Sequence, residues 1–238
     1  MRSAALSFRA ELPGLLRGEV AGGRVAIEQT EIRRWCFYVT VIIVGTGLFG
    51  AALGSWRAPL QALFTATKLP LILLLTALGN GMLNAMLAPL LGLNISLRQS
   101  LVAVLMSFTI AAAILGAFSP LLYFLIWNTP PMAAGAEWEA PAHSFILLSE
   151  TAMIAFAGVA ANVRLLQLFR SLSGSAAVAR KVLFAWLAGN LLLGSQLSWN
   201  LRPFVGSPYL PVEFLRPNAF EGNFFETLFN ALRHLLFP

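Results

Sequence analysis

The sequence predicts an all-α fold, an integral membrane bundle of five transmembrane helices with interfacial amphipathic segments. Three observations carry that expectation. Five long apolar stretches are separated by short polar breaks, and a helix needs about 20 apolar residues to cross a hydrocarbon core. The composition is 58% hydrophobic and only 11% charged, with mean hydropathy +0.76, whereas soluble domains carry about 25% charged residues. Lys and Arg cluster around the ends of the apolar stretches, where they set topology. One bundle accommodates all 238 residues.

Residues 1–34 form a polar N-terminal tail, with six Arg against Glu11, Glu19, Glu28 and Glu31. No apolar run follows Met1, so no cleaved secretory signal is expected. Within the tail, Ala4–Leu16 reads as a membrane-surface segment through Leu6, Phe8, Leu12, Leu15 and Leu16, interrupted by Pro13 and Gly14. The first span is expected over 35–53, with Arg33 and Arg34 before it and Trp35 and Tyr38 at headgroup level. Residues 55–68 are too polar to span and too apolar for a loop. They read as an interfacial or re-entrant helix, held by Trp56, with Arg57 and Lys68 snorkelling.

The second span is expected over 69–91, bent by Pro70, Gly79, Gly81 and Pro89. Asn80 and Asn84, four apart, share one of its faces. The third, over 101–127, is long enough to tilt and carries Pro120 as a kink. A loop over 128–143 holds Glu137 and Glu139 and no Lys or Arg. The fourth span, 144–168, contains Glu150, and the fifth runs over 182–199. The transmembrane domain is thus 35–199, followed by a tail over 200–238. In that tail Asn223 and Glu226 fit a helix cap and its capping-box partner. Phe224, Leu228, Leu232 and Leu235 mark one apolar face behind them. No internal repeat is visible, which argues against an inverted-repeat transporter.

Counting Lys and Arg orients the chain. With the N-terminus inside, eleven of the sixteen fall on the inner side and five on the outer. The expectation is a cytoplasmic N-terminus and an exoplasmic C-terminal tail. The same placement explains the net charge of +6 as topology, so no nucleic-acid partner is expected.

The residues available for chemistry are few. Asp is absent, which removes aspartyl proteases, Asp-based phosphotransfer and most carboxylate-rich Mg²⁺ or Ca²⁺ sites. Cys36 is the lone cysteine. His143 and His234 lie outside the spans, which disfavours bis-histidine haem. There is no HExxH, Walker loop or zinc spacing. Gly194–Ser195 and Arg202–Pro203 resemble fragments of membrane-protease and lipid-phosphatase motifs, without the histidine partners. No catalytic residue, metal or cofactor is therefore expected.

Four sets of residues remain. Glu150, a carboxylate inside a span, reads either as a proton-linked or substrate-binding group or as half of an ion pair with Arg202 or Lys68. Asn80, Asn84, Asn162, Asn190 and Gln196 read as interhelical hydrogen-bonding groups or as the lining of a path. Gly45, Gly47, Gly50, Gly54, Gly189 and Gly194 suit close helix contact. The densest set is QLSWNLRPFVGSP (Gln196–Pro208). There Trp199 and Phe204 are interfacial anchors, Arg202 is a planar donor fork, and Pro203 stops the helix. This set reads as a docking surface for a partner or lipid headgroup, or as a packed end to the last span.

Two stretches, WRAPLQALFTATKLPLILLLT (Trp56–Thr76) and GSQLSWNLRPFVGSPYLPVEFLRP (Gly194–Pro217), are similar to an uncharacterised family of small polytopic bacterial membrane proteins. The five-span plan behind a polar tail also resembles the Yip1 superfamily in architecture. The resemblance implies a protein of the bacterial cytoplasmic membrane and a non-enzymatic organiser that binds partners. The functional expectation is an integral membrane subunit acting as scaffold, anchor or assembly partner, in contact with lipids and other membrane subunits. Docking would use Trp56, Arg57, Lys68, Gln196, Trp199, Arg202, Phe204, Phe224, Leu228 and Leu232. The alternative is a small transporter or channel using Glu150 and the Asn80/Asn84 face. A third reading, a lipid-modifying enzyme, needs an acid–base pair at one membrane face.

Overall fold

A computed structural model describes residues 8–17, 32–130, 132, 140–206 and 209–226. Every regular element among them is a helix: α1 (Phe8–Arg17), α2 (Ile32–Gly54), α3 (Pro59–Leu90), α4 (Leu97–Trp127), α5 (Ala140–Ser173) and α6 (Ala176–Leu201). Helices α2 to α6 are long and apolar enough to cross a membrane, and the chain is an integral membrane protein.

Local chemistry sets the breaks between helices. Pro59 opens α3 at the first helical turn, where its missing N–H costs nothing. Gly92 takes φ +94 after α3, and the Leu93 N–H returns to the Ala88 carbonyl at 2.8 Å. Ser96 then caps α4 in a reciprocal box with Gln99. Gly174, at φ +65, ends α5, and Ser175 caps α6 one residue later. These short links make α2–α3, α3–α4 and α5–α6 antiparallel neighbours. Successive spans therefore alternate in direction. One end of the bundle collects the α3–α4 and α5–α6 links and α1. The other collects the α2–α3 turn and the residues after α6, and is called the tail end below.

Helices α3 and α4 form a central pair. α2 lies along both on one side, while α5 packs on α4, α6 packs on α3, and α5 meets α6 on the other side. The α2 side is the tighter. A methyl group at Gly45 would overlap the Ala112 carbonyl, and one at Gly116 would press on the Gly45 backbone. Gly50 and Gly54 lie as closely against the Thr65 and Gln61 carbonyls. Only residues without a side chain let backbones approach so near in lipid, where packing replaces the hydrophobic drive. The glycines of the first span thus form the contact read from their spacing. Burial falls away from this side: 61% of the most apolar window of α4 is covered, against 22% in α5 and in α6.

Pro120 removes the donor that the Gly116 carbonyl would accept four residues back. Ser119 supplies a replacement, its hydroxyl donating to that carbonyl at 2.7 Å, and α4 continues unbroken to Trp127. Helix α3 likewise runs through Pro70 and Pro89.

One sequence expectation is corrected. Residues 55–68 are not a separate interfacial helix. After a turn at Ser55–Ala58, the rest is the beginning of α3, one helix of 32 residues. Its polar side chains Gln61, Thr65 and Lys68 are four and three apart, on one face. That face is turned inward and fully buried, so the polarity marks an internal contact rather than a water boundary. The N-terminal segment is tied to the bundle as well. α1 packs on α4, Leu15 joins the bundle core, and Arg164 of α5 donates to the Leu16 carbonyl at 3.0 Å.

Candidate functional site: a tail clasped over the central helix

The buried face of α3 carries a polar column: Gln61, Thr65 and Lys68 near the tail end, then Thr76, Asn80 and Asn84 deeper in. The two parts of the column meet different neighbours.

The upper part holds the chain that leaves α6. Pro203 cannot continue the helix, and the backbone turns across α3. Gln61 Nε2 donates to the Pro203 carbonyl at 3.0 Å and to the Phe204 carbonyl at 2.8 Å. Thr65 Oγ1 donates to the Phe204 carbonyl at 2.6 Å. Lys68 Nζ donates to the Pro203 carbonyl at 2.9 Å and faces the Phe204 and Phe214 rings at 6.0 and 5.2 Å. Phe214 in turn meets Phe64 edge-on at 5.4 Å. Two carbonyls of the chain just beyond α6 thereby find donors on α3, as buried or half-buried backbone groups require.

The tail then passes Arg57, whose guanidinium donates to the Leu210 carbonyl at 3.5 Å. Gly206 lies against the Arg57 stem at φ +92, a conformation and an approach that suit glycine alone. The tail returns to α6 near residue 221. Trp199 Nε1 donates to the Glu221 carbonyl at 3.2 Å, and Gln196 Oε1 accepts from the Phe224 N–H at 3.4 Å. Asn223 Oδ1 accepts from the Glu226 N–H at 2.7 Å, the cap read from the sequence. Leu228 and Leu232 lie outside the described residues.

Arg202 stacks on the Trp199 ring at 3.5 Å and donates to the Trp199 carbonyl at 2.6 Å. Burial, and then the nearby Arg216 guanidinium, hold Arg202 below its ordinary range. Arg216 borders a cavity of about 370 Å³, with Leu210, Pro211, Glu213, Pro217 and Asn218 as its other walls. Trp56 is buried and donates to the Pro130 carbonyl at 3.0 Å. Most of the sequence-derived docking residues therefore meet at the tail end, several as internal contacts. Phe214, with Tyr209 and Phe220 a second anchor set in the sequence, belongs to the same assembly, as do Gln61, Thr65 and Arg216, which were not singled out.

The lower part of the column faces α6. Asn80 Nδ2 donates to the Trp186 carbonyl at 3.1 Å and to Asn190 Oδ1 at 2.6 Å. Asn84 Nδ2 reaches Asn80 Oδ1 at 2.7 Å. Gly189 makes room for the Asn80 side chain, against which a Cβ would collide. Both asparagines are fully buried. Thr76 Oγ1, Asn84 Oδ1 and Trp186 Nε1 are buried without hydrogen-bond partners.

Glu150 stands apart from both. It lies on the α5 face that carries the buried residues Ile146, Met153 and Ala157, and its Oε2 is buried without a partner. The ion pair expected with Arg202 or Lys68 is not formed. Lys68 is turned to Pro203 and Arg202 to Trp199, so a carbonyl of the tail holds one cation and a carbonyl at the end of α6 holds the other. Among the described residues no three His, Cys, Asp or Glu side chains gather as a metal site would need.

Comparison with protein-family models, curated proteins and solved structures finds no match.

Proposed function

We propose that the protein is a non-enzymatic integral membrane subunit, a scaffold or anchor around which a larger complex assembles. The observation that carries this reading is the folded tail. It is fastened to α3 and α6 by at least six side chains, yet it leaves Tyr209, Leu210, Leu215 and Phe220 exposed beside Arg202 and Arg216. Rigid aromatic and arginine groups on a supported surface are what binding hot spots use.

The test is isolation from the native membrane in mild detergent, with the co-migrating proteins identified by mass spectrometry. Stoichiometric partners support the subunit reading. Arg202→Ala is expected to weaken their retention while the protein itself stays folded. Full retention in that variant counts against the tail as the docking element.

In the orientation we infer, the N-terminus is cytoplasmic and the tail exoplasmic, in a bacterial cytoplasmic membrane. A cysteine at Tyr209, in a Cys36→Ser background, should react with an impermeant maleimide added to intact cells. Reaction only after lysis reverses the assignment.

One observation favours transport instead. Glu150 Oε2, Asn84 Oδ1 and Thr76 Oγ1 are buried polar atoms without partners, as groups awaiting a solute would be. Against it, Asn80 bridges α3 and α6 directly and closes that face. Solute flux in reconstituted vesicles that Glu150→Gln abolishes would establish the transport reading.

A further inference from the structure

Lys68 presents a buried cation without an anion. Its side chain is fully covered, one of its three donors reaches Pro203, and two aromatic rings face it. Among the described residues no carboxylate pairs with it. An uncompensated charge in such a place is costly, and functional proteins retain one when something else completes it. Arg216 is near enough to bear on both Lys68 and Arg202, and its guanidinium makes no hydrogen bond or ion pair among the described residues. Arg57 stands on the other flank of the tail. Four cations thus converge, against the carboxylates of Glu213 and Glu221 in the same tail.

The depth of the cluster matches a headgroup. The 32 residues of α3 extend about 48 Å at 1.5 Å per residue, against a hydrocarbon core of about 30 Å. Centred in the bilayer, α3 overshoots by about 9 Å at each end. Lys68 then sits about one turn inside the hydrocarbon boundary, and its stem points its ammonium back towards the phosphate level. The surroundings are apolar as well. Leu60 and Leu63 on the outer face of α3, and Leu210 and Leu215 on the tail, are exposed. A soluble anion has no use for them, whereas acyl chains do.

We propose that the tail end binds an anionic phospholipid, its phosphate held by Arg216 at the cavity, within the field of Arg202 and the covered Lys68, and its chains lying along Leu60 and Leu63 of α3. The proposal rests on the membrane-spanning fold and not on the subunit reading, so either can fail without the other. Glu213 faces the same cavity and opposes the bound charge, which gives the site a residue whose loss should tighten it.

The full chain, purified in neutral detergent micelles, is titrated with dioleoylphosphatidylglycerol, dioleoylphosphatidylcholine and glycerol 3-phosphate, and bound lipid is counted by native mass spectrometry. Phosphatidylglycerol should be retained in preference to phosphatidylcholine, and millimolar glycerol 3-phosphate should not displace it. Arg216→Gln, at a half-exposed position, should weaken retention roughly fivefold, the worth of one interfacial cation. Glu213→Gln should strengthen it by a similar factor. Equal retention of the two lipids, or an Arg216→Gln variant that binds like the parent, overturns the proposal. Displacement by glycerol 3-phosphate identifies a soluble phosphate site and overturns the lipid assignment. The opposite responses of the two variants separate loss of a ligand contact from loss of the fold, which would weaken both.

Discussion

The Phe204 carbonyl is held twice, by Gln61 Nε2 at 2.8 Å and Thr65 Oγ1 at 2.6 Å, and this redundancy has a measurable signature. Thr65→Val keeps the side-chain shape and removes one donor. Gln61→Met removes the other, while the Pro203 carbonyl keeps Lys68. After either change alone, each carbonyl still has a donor; Thr65→Val removes one ordinary bond and Gln61→Met two, at about 1 kcal/mol each. Gln61→Met should cost less than its two bonds, because it also removes Oε1, which is buried without a partner. After both changes the Phe204 carbonyl has no donor, and a polar group left so costs about 1–3 kcal/mol. The double variant is therefore expected to exceed the sum of the singles by about 1–2 kcal/mol, a coupling of roughly 5- to 30-fold in tail opening. Val205, the next residue, is buried and offers the probe. In a Cys36→Ser background, Val205→Cys should react with a thiol reagent only when the tail lifts, so its labelling rate reports the opening equilibrium. Additive effects of the two substitutions on that rate would refute the shared-carbonyl geometry.

Two further expectations concern the bundle. Gly45→Val should force α2 away from the Ala112 backbone and destabilise the protein by about 1–3 kcal/mol, as overpacking does; a thermal midpoint in detergent equal to that of the parent would contradict the close crossing. Ser119→Ala should orphan the Gly116 carbonyl and lower the midpoint by about 0.5–1.5 kcal/mol of stability. Adding Pro120→Ala restores an N–H four residues on and should recover the loss, and a double variant no better than Ser119→Ala would show that Ser119 does not serve that carbonyl.

What was legible in the sequence was what lipid dictates locally. Apolar length gives five spans, and glycine spacing in the first gives its close contacts, because both are properties of one segment read alone. The contact from the Glu226 N–H to Asn223 Oδ1 is local in the same sense. The start of α3 was misread because Gln61, Thr65 and Lys68 look interfacial until it is known that the tail brings two carbonyls to them. Those partners lie more than 130 residues away, and no periodicity announces them. The signal that was present is their spacing of four and three, which puts three polar groups on one helical face and asks what that face touches. Glu150 shows the converse. Shared membrane depth made a pair with Arg202 or Lys68 reasonable, but depth does not fix azimuth, and Lys68 faces the tail while Arg202 faces Trp199. Arg216 was passed over as one more charge in a polar loop, since only the fold brings it beside Lys68.

The same separation along the chain bears on how the protein is made. Gln61, Thr65 and Lys68 enter the membrane early in translation, and the carbonyls that satisfy them are the last thing synthesised before the tail folds back. Until residue 204 emerges, the nascent chain carries a polar column that no neighbour on the upper part of α3 satisfies. Fastening the tail is thus a completion step, and a chain stopped after α6 should be recognised by membrane proteases and decay faster than the full chain in a pulse-chase experiment. Equal lifetimes would show that α3 finds other donors and acceptors in the meantime. The clasp makes the stability of the second span conditional on the arrival of the end of the fifth.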